Sequence, residues 1–258
     1  MTRLCRWADA ARSPLTFAIY RRRGDRVIDL LNSGVDPDSE TWLGYAALTL
    51  AAEAGDVRIV EAILATTKRI APGDGAPLSF ALQNGQTLVS RLLVDHYQRA
   101  GVTGLHPGLL YVAARAQDEH VARFLLRHGA EPNQCLYNGG DSPLQAAAEH
   151  GNLELVRLLL DEGADPNLAS ANGWPALTIA AERGHINIVQ ELLTRGANPN
   201  TVNSATPLMR AAESGHPEVI RELLAHGADR ERQNPRGEDA LSIARRAGHS
   251  SIIDLLTR

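Results

Sequence analysis

The sequence predicts an all-α solenoid in which short helix–turn–helix units are stacked on one another. The first observation is a segment that recurs along nearly the whole chain of 258 residues. Its eight copies start near residues 13, 46, 76, 108, 142, 175, 206 and 239, with spacings of 30 to 34 residues. The second is that three copies end in related turns, "GAEPN", "GADPN" and "GANPN". One helix pair cannot bury its own apolar stripe, so neighbouring units must stack.

Each unit begins with residues typical of a helix N-terminus. "SPL" from Ser142 and "TPL" from Thr206 combine a hydroxyl N-cap with proline at the first helical position. A pair of alanines follows, such as Ala180 and Ala181, whose small side chains let neighbouring helices approach closely. Gly184 then marks the end of the first helix, where a left-handed backbone favours glycine.

The second helix of each unit is predicted from an apolar stripe. "LELVRLLL" and "INIVQELL" place apolar residues three and four positions apart, which is the period of one helical face. Gly163, Gly196 and Gly227 end these helices. We therefore interpret the recurring turn as the common exit from the second helix of each unit.

These units resemble the ankyrin repeat, which shares their TPLHxA-like opening, central Gly-His and terminal Gly-Ala. The resemblance covers about residues 13–258 and is strongest from Gly108 onward. It implies that polar segments such as Ala164–Trp174 are β-hairpin fingers that project from the helical stack. The predicted fold is therefore an all-α ankyrin-repeat solenoid with β-hairpin finger loops.

The repeats predict a single domain. Residues 1–12 are expected to form an N-terminal cap segment, and residues 13–258 one solenoid. Residues 65–107 are its least regular part, because the joints there lack the Gly-Ala exit or the closing Asn. Two interpretations stay open, namely repeat drift at tolerated loops or a changed curvature that forms part of a binding surface.

Composition and charge exclude several classes of partner. The formal net charge is −4, so no global positive field attracts nucleic acid or an anionic membrane. No apolar run approaches the ~20 residues that a membrane-spanning helix needs. Cys5 and Cys135 are the only cysteines and are far apart, which fits a reducing compartment. We expect a cytoplasmic monomer that binds neither nucleic acid nor membranes.

The sequence lacks motifs for catalysis or cofactor binding. It contains no GxSxG, Walker, HExxH or GxGxxG pattern, so neither an enzyme nor a cofactor is predicted. His185, His216 and His249 share one repeat offset, directly after a glycine. The resemblance implies that these histidines are structural and bond across a turn, so no metal site is predicted.

The resemblance also implies that a protein partner binds the concave surface made by the fingers and the first helices. Aromatic side chains are frequent interface hot spots. The finger positions carry Trp42, Tyr45, Tyr137 and Trp174. Packing of these aromatics against the neighbouring finger is the open alternative.

Charged residues on the first helices complete the predicted surface. They are Arg115, Glu149, Glu182, Arg183 and Glu213. The three glutamates would form an acidic ladder for a partner with a basic patch, where charge complementarity favours fast and specific association. Since glutamate is common at this position in the family, a solvated face is the open alternative.

The sequence therefore predicts a non-enzymatic protein–protein interaction scaffold, for example an inhibitor or immunity protein. Lys68 is the only lysine, a bias that favours a GC-rich, bacterial genome. One alternative function is a secreted bacterial effector that acts in a host cell. Another is an enzyme whose site lies in residues 65–107 and gathers Asp95, His96 and His106.

Overall fold

The computed structural model describes residues 14–38, 41–42, 45–67, 75–102, 104–135, 140–170, 173–201 and 203–257. They form the predicted helical repeat fold, with one short β-hairpin. The chain divides into two compact units, Met1–His128 and Gly129–Arg258. A single solenoid over residues 13–258 stays a prediction, and the proposed cap segment, residues 1–12, lies outside the described residues.

The described residues of the first unit form four consecutive helix pairs. These are α1 Pro14–Tyr20 and α2 Gly24–Asn32, α3 Ala47–Ala54 and α4 Val57–Thr66, α5 Ala76–Gln83 and α6 Thr87–Ala100, and α7 Leu109–Arg115 and α8 Glu119–Arg127. Strands β1 Thr41–Trp42 and β2 Tyr45–Ala46 precede α3. Within this unit the first helices of successive pairs contact one another, and so do the second helices. This pattern of contacts is that of a stack of repeats.

The second unit has the same organisation. Its pairs are α9 Pro143–Glu149 and α10 Leu153–Asp161, α11 Ala176–Arg183 and α12 Ile186–Thr194, α13 Pro207–Ser214 and α14 Pro217–Ala225, and α15 Ala240–Ala247 and α16 Ser250–Thr257. First helices again contact first helices, and second helices contact second helices. The predicted alanine pair, Ala180 and Ala181, is fully buried on α11, which allows this close stacking.

The predicted hairpin fingers are only partly present. The β1–β2 hairpin is antiparallel, but in Ala164–Trp174 no strand occurs among the residues that the structure describes. Its polar residues form turns instead, for example where the Asn167 N–H donates to Asp165 Oδ1 at 2.8 Å. Short Asp and Asn side chains bond nearby backbone groups and so favour turns over strands.

Helix boundaries coincide with the residues that predicted them. At the start of α9 the Gln145 N–H donates to Ser142 Oγ at 3.3 Å, and the Ser142 N–H donates to Gln145 Oε1 at 2.6 Å. This capping box satisfies two backbone donors that have no partner inside the helix. Gly184 ends α11 in the left-handed region, with φ of 75°.

Three asparagines of the recurring turn connect successive repeats of the second unit. Asn167 donates from Nδ2 to the Gly196 carbonyl at 3.1 Å and accepts at Oδ1 from the Asn198 N–H at 2.8 Å. Asn133 and Asn200 make the equivalent pairs of bonds, at 2.7 to 3.3 Å. The recurring turn is therefore an inter-repeat connection as well as the exit from a helix.

Replacing one of these asparagines should measurably destabilise the protein. Asn167→Ala is expected to lower the free energy of unfolding by about 1–3 kcal/mol, because two hydrogen bonds of about 0.5–1.5 kcal/mol each are lost. Asn187→Ala, at an exposed position on α12, is the matched control and should change it by no more than about 0.5 kcal/mol. Urea denaturation followed by circular dichroism measures both, and equal costs would contradict the connecting role.

A series of histidines forms a second connection between repeats. The ring Nε2 of each lies within hydrogen-bond distance of a glutamate carbonyl oxygen in the preceding repeat. The pairs are His185–Glu149 at 3.3 Å, His216–Glu182 at 3.0 Å and His249–Glu213 at 3.1 Å. The sequence predicted a bond across a turn, and the structure shows that this bond reaches the neighbouring repeat.

The irregular region, residues 65–107, contains a lengthened second helix. Helix α6 has 14 residues, whereas α4 and α8 have 10 and 9. Its added turn carries Tyr97, whose side chain is fully buried. The helix then ends at Gly101, which has a left-handed backbone with φ of 64°. The extra length therefore adds a large side chain to the core of the first unit.

Candidate partner-binding surface

The structure describes eight of the nine predicted residues, and they are distributed over both units. In the first unit, Trp42 lies opposite Tyr45 in the β1–β2 register, and their side chains are outside the described part. Arg115 is exposed at the end of α7. Tyr137 lies outside the described residues. The other five, which are Glu149, Trp174, Glu182, Arg183 and Glu213, lie on the first helices and finger loops of the second unit.

Trp174 is held by the repeat that follows it. Its indole Nε1 donates to Ser204 Oγ at 3.1 Å, and the Arg210 guanidinium carbon lies 4.1 Å from the centroid of its ring. Its backbone carbonyl accepts a hydrogen bond from Gln145 Nε2. The side chain is half-buried, so Trp174 packs on the neighbouring loop while part of its surface stays accessible. A cation over an indole face stabilises both side chains in one arrangement.

The predicted acidic ladder is partly paired with arginines of the same chain. Arg183 Nη2 donates to Glu149 Oε1 at 2.9 Å, and Arg210 Nη1 donates to Glu213 Oε2 at 2.9 Å. Glu182 lies between these two pairs and is half-buried on α11. A basic patch on a partner would therefore compete with arginines of this chain for two of the three carboxylates.

A cavity of about 300 Å³ lies between α13, α15 and the finger loops that precede them. We call it the arginine cavity, because three of its lining residues are arginines. Its charged lining residues are Arg210, Glu213, Arg236, Glu238 and Arg246. Ala205 and Ile243, both nearly buried, contribute apolar lining. Three positive and two negative groups leave the cavity with one net positive charge.

The three arginines differ in how far their charges are neutralised. Arg246 bonds Glu238 and lies 3.6 Å from Glu213. Arg210 also bonds Glu213, but its Nε is buried and has no hydrogen-bond acceptor in the described part of the chain. Arg236 is exposed and forms no ion pair with any residue that the structure describes.

Arg210 and Arg236 were not among the residues that the sequence predicted for this surface. A signal for Arg210 was present, since it occupies the first-helix position that Ala146, Ile179 and Ile243 hold in the other repeats of this unit. A charge at an otherwise apolar position of a repeat is informative, because the shared fold does not require it. Arg236 lies in a loop that is rich in charges of both signs, so its own position carried no such contrast.

Asp239, the N-cap of α15, directly follows the loop that lines this cavity. Asp239 Oδ1 accepts from the Ser242 N–H at 2.7 Å and from Ser242 Oγ at 2.5 Å. Hydrogen bonds from the Ser242 side chain, and then from its backbone, lower the pKa of the Asp239 carboxyl. Asp239 is therefore ionised at neutral pH, and its negative charge stabilises α15 by interacting with the positive end of the helix dipole.

Two of the three residues considered for catalysis in the irregular region, His96 and His106, have described surroundings. His106 Nδ1 accepts the Gly108 N–H at 3.1 Å, within its own loop. Burial, with a smaller contribution from Arg99, lowers the pKa of His96.

Burial, and then Asp141, raises the pKa of the Cys135 thiol, which makes it a poor nucleophile. Among the described residues no group of three or more His, Cys, Asp or Glu could hold a metal ion. No described helix is long and apolar enough to cross a membrane.

Comparison with known proteins agrees with the helical repeat fold described above. A family model for ankyrin repeats matches residues 109–203 and 177–258. The chain is 31% identical over 177 residues to ankyrin repeat protein nuc-2 of Neurospora crassa, which covers 64% of this chain and 16% of that protein. It is 31% identical over 159 residues to putative ankyrin repeat protein FPV115 of fowlpox virus, covering 60% of this chain and 28% of that protein. It is also 34% identical over 153 residues to E3 ubiquitin-protein ligase XBAT33 of Arabidopsis thaliana, covering 58% of this chain and 29% of that protein. The matched segments thus span less than a third of each of these relatives.

Proposed function

The chain belongs to the ankyrin-repeat family, and on this basis we propose that it is a non-enzymatic scaffold that binds a protein partner through its finger loops and first helices. In the second unit this surface consists of the finger loops that precede α11, α13 and α15 together with those helices. The partner recognises side chains that vary between repeats, whereas the glycines, asparagines and histidines maintain the fold.

The observation that carries the proposal is the arrangement of Trp174 and Arg210. Tryptophan and arginine are the residue types most enriched among interface hot spots. Here the two are stacked at 4.1 Å, and Trp174 is also fixed by its bond to Ser204. Because these two side chains are already ordered, they lose little conformational entropy when a partner binds.

The finer features of the proposal rest on the sequence. We place the protein in the cytoplasm as a monomer, and we favour an inhibitor or immunity protein because a repeat array can occlude a partner without further chemistry. The bacterial origin and the effector alternative depend on the low lysine content alone, and the relatives come from a fungus, a virus and a plant. The ligase named among them matches over 29% of its length, which gives no reason to extend its activity to this chain.

Affinity capture from lysate of the source organism tests the scaffold proposal. We expect wild-type protein to retain one stoichiometric protein partner, and the variant Trp42→Ala/Tyr137→Ala/Trp174→Ala to bind it at least about tenfold more weakly, because truncating hot spots costs more than about 1 kcal/mol each. The matched control is Asn187→Ala, which truncates an exposed side chain on α12, a second helix outside the predicted surface.

The outcomes of the capture experiment are distinct. Circular dichroism must first show that all variants are folded. If the triple variant retains the partner as well as wild-type protein does, the aromatic residues of the finger loops do not form the binding surface. Capture of no partner by wild-type protein would contradict the scaffold function itself.

A further inference from the structure

The arginine cavity has the charge of a site for an acidic side chain and enough volume to admit one. Its volume of about 300 Å³ is at the lower end of the range for ligand pockets in proteins. Guanidinium groups bind carboxylates with two parallel hydrogen bonds, which gives directional recognition. Three such groups line the cavity, and Ala205 and Ile243 supply apolar surface for the methylene part of a side chain.

We propose that the arginine cavity binds an aspartate or glutamate side chain of the protein partner. This inference rests on the scaffold function proposed above and identifies the chemistry of the partner at one point of the surface. Arg236, which has no ion pair within the described part of the chain, supplies the unneutralised charge. Arg210 and Arg246 provide further N–H donors beyond those that already bond Glu213 and Glu238.

The two glutamates of the cavity select a carboxylate over a phosphate. One added carboxylate neutralises the net positive charge, so binding leaves no excess charge in the site. A doubly charged phosphate would leave a net negative charge close to Glu213 and Glu238, and like charges repel strongly where solvent is partly excluded. An acidic segment also differs from the basic partner that the glutamates of the first helices suggested.

Trp174 provides a direct signal for occupancy of the cavity. Arg210 both lines the cavity and stacks on the indole ring at 4.1 Å. A ligand that bonds the Arg210 guanidinium therefore changes the surroundings of the tryptophan. Trp174 becomes the sole tryptophan after the substitutions Trp7→Phe and Trp42→Phe, since the chain has three.

The experiment titrates this single-tryptophan protein with the peptide acetyl-Ala-Glu-Ala-Ala-amide, which carries one carboxylate, and records tryptophan fluorescence. The peptide acetyl-Ala-Gln-Ala-Ala-amide is the matched uncharged probe, and inorganic phosphate is the second anion. We expect a saturable change with the glutamate peptide, and affinity at least about tenfold lower for the glutamine peptide, because hydrogen bonds to charged groups are worth about 1.5–3 kcal/mol. Phosphate is also expected to bind more weakly than the glutamate peptide, because its second negative charge would lie close to Glu213 and Glu238. Calorimetric titration of the wild-type chain repeats the measurement without the tryptophan substitutions.

Variants then assign the binding to the cavity. Arg236→Gln and Arg246→Gln are each expected to lower the affinity for the glutamate peptide about tenfold. Arg221→Gln is the matched control, because Arg221 is an exposed arginine of α14 that pairs with Glu218 outside the cavity. It should leave the affinity unchanged. Arg236 lies in an exposed loop, so its variant is expected to fold normally.

Several results would overturn the inference. They are the absence of a saturable signal, equal affinity for the two peptides, tighter binding of phosphate, and an Arg236→Gln protein that binds as well as wild type. The scaffold function fails independently, when lysate capture yields no partner. A captured partner whose affinity is unchanged by Arg236→Gln would leave the scaffold function standing and exclude the cavity as its acidic-side-chain site.

Discussion

Gly184→Ala is expected to lower the free energy of unfolding by about 1.5–3.5 kcal/mol, although it adds a single methyl group. Gly184 has φ of 75°, a left-handed conformation that costs a residue with a Cβ about 1–2 kcal/mol. The added Cβ would also lie 2.6 Å from two atoms of the His216 ring. The ring must then move and give up its bond to the Glu182 carbonyl at 3.0 Å, at a further cost of about 0.5–1.5 kcal/mol. Urea denaturation followed by far-ultraviolet circular dichroism measures the loss.

The matched control for this substitution is Gly196→Ala. Gly196 has φ of 87°, and an added Cβ there would meet nothing within 4 Å. Its expected cost is therefore the backbone contribution alone, about 1–2 kcal/mol. In a His216→Ala background, Gly184→Ala should cost no more than Gly196→Ala does. Equal costs of the two glycine substitutions in the wild-type background would show that contact with His216 does not limit the position.

The comparison of Gly184 with Asn167 shows which parts of the fold the sequence predicted. A glycine that ends a helix and a serine that starts one act within a few residues, so a local pattern is enough to identify them. The recurrence of Asn167 was equally clear, but its acceptor, the Gly196 carbonyl, lies 29 residues away. The sequence therefore showed that the turn recurs and explained it as the exit from a helix. It did not show that Asn167 bonds the next repeat, because this contact exists only after the repeats stack.

For the candidate surface, the positions of the residues were predictable from the sequence, whereas the contacts between their side chains were not. The register placed Trp174, Glu149 and Glu213 correctly on the finger loops and first helices, since position in a repeat fixes position in the stack. The neutralisation of Glu149 by Arg183 depends on side-chain reach between two repeats. The arginine cavity is harder still to predict, because residues of four elements must converge before it exists. Its one signal in the sequence is Arg210, an arginine where the other repeats of this unit carry Ala146, Ile179 and Ile243.

Tyr97→Ala is expected to be the most destabilising of the substitutions considered, lowering the free energy of unfolding by about 3–5 kcal/mol, the range for truncating a large buried aromatic side chain. Tyr97 is fully buried in the added turn of α6. Removing it would leave a cavity that the neighbouring side chains Leu93 and Val94, themselves buried on α6, can fill only in part. The measurement is urea denaturation of the full chain by circular dichroism.

The control for Tyr97 lies on the same turn of helix. Asp95 is exposed, and Asp95→Ala should change the free energy of unfolding by no more than about 0.5 kcal/mol. A large cost for Tyr97→Ala, together with unchanged capture of the partner by Asp95→Ala, would favour the interpretation of residues 65–107 as drifted repeats with a repacked core. A cost below about 1 kcal/mol for Tyr97→Ala would contradict that packing role. Loss of the partner from the Asp95→Ala protein, whose core is intact, would instead favour the interpretation of the irregular region as part of the binding surface.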